Sequence, residues 1–345
     1  MKLLCLILGI ILLFIIYYAY CVKKPTANNL HISQKLIDKY YTHDVKPNIY
    51  KPINNNRIFV SIASYRDPQL IETYSSMIFN CDNVENLTVV ICEQNDPIDK
   101  FTIDKIIDNK CIPKFISMNS KDARGPCWAR YLIQQEWKGE EYYLQIDSHT
   151  RFVKGWDTKL INDLATLPEK SCLSNYVSTY DIKTGKVEKS PLRGPMYVSE
   201  INEKDNFVRF NSKYINKPSF SKPQPSKGWS GCFSFSKAQI ILDAPYDPYT
   251  PFLFFGEEMD IYARLYSRGW KMFVPSIPIC FTLFDRSYRK TYWEHPEYKQ
   301  IVNYSRARIY NRFGWLKVPK YLRLENDTYG LGKLSMTKVL KSMLH

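Results

Sequence analysis

The regular alternation of short apolar runs with helical stretches between residues 57 and 167 constrains this chain more than any other feature. Arg57 to Ser64 (RIFVSIAS), Leu87 to Cys92 (LTVVIC), Lys114 to Met118 and Tyr142 to Ile146 (YYLQI) are short and rich in β-branched and aromatic residues. Such runs read as strands buried on both faces, the habit of a parallel sheet. Gln69 to Asn80, Gly125 to near Trp137, and Trp156 to Leu167 read as helices between them. Gly125-Pro126 marks a helix start, with proline at the first helical position. Parallel strands need crossover connections, which these helices supply, so the spacing predicts an α/β fold with a mostly parallel central sheet. The second half is less regular. It reads as strands at Trp229 to Ser236, Lys271 to Val274 and Ile279 to Phe284, and a helix from Gly256 to Gly269. The Pro-rich stretches Lys217 to Pro225 and Ala244 to Pro251 read as long loops.

One other run stands apart. Leu3 to Val22 (LLCLILGIILLFIIYYAYCV) carries no charge and has about the twenty residues that cross a bilayer as a helix. Tyr17, Tyr18 and Tyr20 gather at one end, where amphipathic rings favour the membrane interface. Ala19-Tyr20-Cys21 is a poor signal-peptidase site, so the run reads as an uncleaved single-pass anchor. Lys2 stands on one side and Lys23 and Lys24 on the other, which leaves the orientation open. The segment 23–56, with Pro25, Pro47, Pro52 and three successive asparagines, reads as a stem or linker. A catalytic core over 57–315 and a basic tail over 316–345 complete the expected organisation.

Hydrophobic residues at 45% and charged residues at 24% exclude a disordered chain and a coiled coil. The single long apolar run excludes a multi-span membrane protein. The net charge of +14 suits an anionic partner. It is concentrated: residues 286–345 hold 13 Lys and Arg against 4 Asp and Glu, so +9 of the +14 lies there. A near-neutral core with a basic tail fits that distribution better than a uniformly cationic nucleic-acid binder. The 9 cysteines include no C-x-x-C pair, so they read as buried thiols rather than a zinc or redox site.

Four clusters carry chemistry. Asp147-Ser148-His149 follows an apolar strand directly, and ligands of open α/β sheets bind beyond the carboxyl ends of strands. A carboxylate and an imidazole there can hold a divalent cation that neutralises a diphosphate; the alternative is a simple turn. Glu257, Glu258 and Asp260 cluster at a helix start after the apolar Phe252 to Phe255. They can orient an acceptor hydroxyl or a sugar, or they can merely stabilise the helix N-terminus. Ser64-Tyr65-Arg66-Asp67 ends the first strand, and Arg124 precedes a helix N-terminus suited to anions. No Walker sequence and no G-x-G-x-x-G is present, so a nucleotide would be held by metal and side chains.

In these blocks the chain resembles the protein-hydroxyproline N-acetylglucosaminyltransferases, and more distantly the mucin-type polypeptide N-acetylgalactosaminyltransferases. The likeness rests on Ile58 to Leu70 (IFVSIASYRDPQL), Ala123 to Phe152, Gly228 to Phe235 (GWSGCFSF) and Pro245 to Phe273. It runs from Arg57 to Trp315 in the family's order. The resemblance implies a GT-A fold, a Rossmann-like sugar-nucleotide transferase architecture, here preceded by one transmembrane helix. It implies a UDP-sugar donor, Mn²⁺ or Mg²⁺, and transfer with retention to a hydroxyl of a protein or glycan. By it, Asp147 and His149 are the metal ligands. Ser64, Tyr65, Arg66 and Asp67 line the uridine site; Arg124, Trp128 and Ser148 face the nucleotide. Trp229 and Gly231 border the sugar, and Glu257, Glu258 and Asp260 are the catalytic acids.

The sequence departs from the family at one position. Thr282 stands where the resemblance implies a further histidine, leaving Asp285 or water as candidates for a third ligand. Two rival readings remain. One is a nucleic-acid or membrane-surface binder that uses the basic tail and the aromatics, although no specific nucleic acid is expected. The other is an inactive sugar-binding relative.

Overall fold

The computed structural model describes residues 32–41, 48–99, 111–187, 192–323 and 327–344. The expected anchor, Leu3 to Val22, lies outside them. Among the described residues no helix is long and apolar enough to cross a membrane.

In chain order the elements are α1 (Gln34–Tyr41), β1 (Ile58–Tyr65), α2 (Leu70–Phe79), β2 (Leu87–Asn95), β3 (Lys114–Asn119), α3 (Pro126–Gln134), β4 (Tyr142–Asp147) and β5 (Thr150–Phe152). Then come α4 (Trp156–Ala165), β6 (Ser171–Ser174), β7 (Ser178–Thr179), β8 (Tyr197–Ile201), β9 (Val208–Asn211) and β10 (Gln224–Ser226). The rest are β11 (Phe233–Lys237), α5 (Gln239–Asp243), α6 (Glu257–Ser267), β12 (Lys271–Val274), β13 (Cys280–Thr282), α7 (Tyr298–Arg312) and α8 (Met336–Leu344).

The main sheet has the order β10-β12-β6-β11-β4-β1-β2-β3. β1 to β4 are mutually parallel, β12 is parallel to β6, and only β10 and β11 run against the rest. The expected mostly parallel sheet is therefore present. Strand side chains alternate between faces. Ile58, Val60 and Ile62 pack on one side with Tyr74 of α2 and Trp156 and Leu160 of α4. Phe59 and Tyr143 pack on the other with α3 and α6. Two small sheets, β5-β13-β7 and β8-β9, sit outside this layer.

Several boundaries differ from expectation. The run from Trp229 becomes a strand only at Phe233. Before that, side chains take the bonds a ladder would use: Ser174 Oγ accepts from Ser230 N at 2.8 Å, and Gly231 O accepts from Gln145 and Arg130. Helix α3 stops at Gln134, because Trp137 turns inward and its indole donates to Glu140 O at 3.0 Å. The late strand is only Cys280–Thr282. Helix α7 carries no clear periodicity in sequence, because its buried side includes Arg308 and Arg312.

Both flanks of the domain are docked where described. Tyr40 and Tyr41 of α1 are buried against Phe252 and α7, inside the stretch read as a stem. In the stretch read as a basic tail, Met336, Val339 and Met343 of α8 are buried in the same core as α6. The cysteines among the described residues are free thiols, and all but the half-buried Cys81 are buried, as expected.

Candidate active site

Sheet topology converges three chain segments at one edge. β1 and β4 run in register, with Ala63 opposite Asp147, so both end together. β11 runs the other way beside β4, with Phe233 opposite Ile146, so Gly231 arrives next to Asp147. A cleft of about 490 Å³ opens there. Tyr65, Asp147, Ser148, His149, Gly231, Glu257 and Glu258 line it.

Asp147 closes β4, and the turn after it is pinned. Thr150 Oγ1 donates to Asp147 O at 2.8 Å, and Thr73 Oγ1 donates to Ser148 O at 2.7 Å. His149 Nδ1 stands 2.8 Å from Asp67 Oδ2, and Ser148 Oγ donates to the same oxygen at 2.7 Å. Burial alone would raise the Asp67 pKa. The hydrogen bond and charge of His149, the Arg289 guanidinium and Ser148 outweigh it and hold Asp67 down at about 2. An ionised Asp67 can only accept, so Nδ1 is the donor, and in the neutral imidazole Nε2 then carries the lone pair. Nε2 lies 3.7 Å from Asp147 Oδ2.

That arrangement fits a divalent cation: one imidazole lone pair beside one carboxylate oxygen, with the imidazole oriented from behind by a second carboxylate. Among the described residues no group of three His, Cys, Asp or Glu joins them. Thr282 is close by, its hydroxyl 3.3 Å from His149 O, but offers no imidazole. Asp285 is exposed and bonded to Ser287.

Arg130 forms the buried floor. One guanidinium nitrogen bonds Asp147 Oδ1 at 3.0 Å and Gly231 O at 2.8 Å; the other pairs with Glu257. Burial opposes its charge, but Glu257, Tyr246 and Asp147 keep Arg130 firmly protonated. Glu257 also accepts from Tyr246 OH at 2.6 Å. Gly231 permits a close approach, since a Cβ there would lie 3.2 Å from Arg130 and 3.3 Å from Glu257, and those side chains would have to give by a few tenths of an ångström. Glu258 accepts from Gly231 N at 3.1 Å and from Tyr176 OH. Its carboxyl is closely surrounded by protein, and that desolvation pushes it up to about 7 against those hydrogen bonds.

Other expected site residues stand off the cleft wall. Asp67 lies behind His149, and Ser64 is buried with its hydroxyl unpaired. Arg66 makes a bidentate pair with Asp99 at 2.8 and 2.9 Å. Arg124 stacks on Trp128 at 4.5 Å and on Tyr40 at 5.4 Å. Trp229 is buried, its indole donating to Ser234 at 3.1 Å. Asp260 is buried in a network with Arg312 and Arg264, so it braces α6 rather than facing the cleft. Sequence reasoning missed Arg130, Tyr176 and Arg289. The one available signal was an arginine on the inward side of an amphipathic helix, which is unfavourable without a partner.

Residues 57–111 and 100–313 match the family model described as Glycosyltransferase (GlcNAc). No curated protein sequence matches significantly. Among solved structures, the chain is similar to GalNAc-T7 with UDP, GalNAc and Mn²⁺, at 13% identity and a TM-score of 0.56. That match covers 75% of this chain and 49% of the other, so the chain spans about half its length. Its α/β architecture, with the mostly parallel sheet, is that of such GT-A neighbours. Weaker likenesses are to S. aureus TarS 1-349 in complex with UDP-GlcNAc (13% identity, TM-score 0.47, 73% and 65% covered). Another is to a Pyrobaculum calidifontis mannosyltransferase with GDP-Man and Mn²⁺ (13%, 0.41, 95% and 80%).

Proposed function

The chain belongs to the GlcNAc glycosyltransferase family, and from that premise we propose that it moves N-acetylglucosamine or a similar hexose from a UDP-sugar to a hydroxyl of a protein or glycan, with retention. The narrower likeness to the protein-hydroxyproline transferases, and the membrane anchor at Leu3 to Val22, are part of this proposal. The observation that carries it is Asp147 and His149 at the end of β4, lining one cleft together with Glu257 and Glu258.

Asp147 and His149 would hold a divalent cation, which supplies charge neutralisation for the departing diphosphate. Asp67 fixes the His149 tautomer, and Arg130 holds Asp147 and Glu257 in one fixed relation. Glu257 and Glu258 would hold sugar or acceptor hydroxyls. In the transfer, the anomeric carbon–phosphate oxygen bond breaks and an acceptor oxygen–carbon bond forms on the same face. The acceptor proton leaves with the UDP or to solvent.

A donor screen tests this: full-length protein, several UDP-sugars, Mn²⁺, and UDP release as readout. Release with one donor, abolished in Asp147→Ala, is the expected result. The Thr282 position favours one second reading, a sugar-binding relative without turnover. UDP-sugar binding without UDP release would establish that reading instead.

A further inference from the structure

Beyond Glu258 the cleft wall turns basic and aromatic. Arg193, Arg209 and Arg286 line it. Arg209 is neutralised by Asp205 at 2.5 Å. Among the described residues neither Arg193 nor Arg286 makes an ion pair, although Arg286 lies near enough to the exposed Asp285 to help lower its pKa.

Arg286 is half-buried, yet no hydrogen bond to another described residue holds its side chain. Its guanidinium lies over Phe254 at 5.1 Å and over Trp293 at 5.3 Å, two rings packed edge to face. Stacking occupies the faces of a guanidinium and leaves its in-plane N–H donors for a planar anion. Arg193 is held by neutral groups, over Tyr214 at 4.5 Å, with Nε on Ser212 Oγ at 2.8 Å and Nη2 on Ser212 O at 2.6 Å, which leaves Nη1 for a ligand. Two guanidinium groups held in place without an ion pair are preorganised for carboxylate or phosphate.

The same wall includes a strand edge. Val208, Arg209, Phe210 and Asn211, four successive residues of β9, all line the cleft. Side chains of successive strand residues point to opposite faces, so consecutive lining means the strand presents its edge. β9 pairs only with β8 among the described residues. At Val208 the edge is covered by α6, since Val208 N donates to the buried Met259 thioether at 3.3 Å. Extended peptides bind along strand edges.

We propose that the acceptor is an acidic peptide, laid along β9 with its carboxylates taken by Arg286 and Arg193. This rests on the glycosyl-transfer reading of the cleft. The net charge of +14 steers such a partner toward the domain.

The test uses full-length protein in detergent with saturating UDP and Mn²⁺. Labelled short peptides carry a central Ser or Thr flanked by Asp, Ala or Lys, and fluorescence anisotropy reads their binding. The Asp-flanked peptide is expected to bind about tenfold tighter than the Ala-flanked one, and the gap should close at high salt. Arg286→Gln and Arg193→Gln should each narrow that gap and leave the UDP affinity, read by calorimetry, unchanged. The double Arg193→Glu/Arg286→Glu variant should prefer the Lys-flanked peptide. Arg286→Lys guards against misfolding, since it keeps the charge and loses only the fork. Equal binding of all peptides, or none, overturns the proposal. So does a loss of UDP affinity in the variants, which assigns both arginines to the donor. An acidic hyaluronan fragment that displaces the Asp-flanked peptide at equal strength overturns it in favour of a glycan. Absence of UDP binding in the wild type would instead bring down the transferase reading, and calorimetry reports that separately.

Discussion

His149 presents Nδ1 to Asp67 at 2.8 Å across 82 residues of sequence. The contact joins the end of β1 to the turn after β4, and it decides which imidazole nitrogen is free. Asp67→Asn should keep the fold and lower Mn²⁺-dependent UDP affinity by roughly ten- to a hundredfold. Calorimetry with and without Mn²⁺ measures this. Unchanged metal dependence would mean that His149 is no ligand.

Thr282 touches the His149 carbonyl from β13. Thr282→His should tighten Mn²⁺ binding by supplying an imidazole beside the existing pair. A folded variant with no gain would place any third ligand elsewhere.

Glu258 is expected to make stability depend on pH. Its carboxyl is raised from 4.5 to about 7 in the fold, so the native state holds a proton the unfolded chain releases. The contribution is fully present below about pH 4.5 and is lost as pH rises through about 7. The difference in Tm between wild type and Glu258→Gln should therefore change across that window and level off above it. A constant difference would show that the carboxyl titrates normally.

Glu257 and Asp260 should separate by function although both sit in buried ion pairs. Glu257→Gln leaves Arg130 short of charge, and Asp260→Asn does the same to Arg312. Each should cost roughly 3 kcal/mol, so melting temperature alone cannot tell them apart. Turnover per folded molecule can: Asp260→Asn should be near normal, and Glu257→Gln should be slower by about two orders of magnitude. Normal turnover in both would make the acidic cluster a brace for α6 alone.

The parallel half of the sheet was legible because buried strands are written as unbroken apolar runs. Asp147 and His149 were legible because they follow such a run at once. Arg130 was not, since an arginine within Pro126–Gln134 gives no sign of the carboxylates that meet it from β4 and α6. The strand edge near Trp229 was misjudged because aromatic content looks like strand, while Ser174, Gln145 and Arg130 supply bonds from far along the chain. Arg124 and Trp128 were expected at the nucleotide, but their mutual stacking with Tyr40 depends on α1, which sequence gave no reason to dock there.

The docking of α1 would also shorten the leash of an anchored domain. Between Val22 and Gln34 there are eleven residues, so with Leu3 to Val22 in a bilayer the domain is held within about 40 Å of it. A free stem reaching to residue 56 would have allowed about three times that reach. A domain anchored on so short a leash would meet acceptors that share its membrane far more often than those passing in solution.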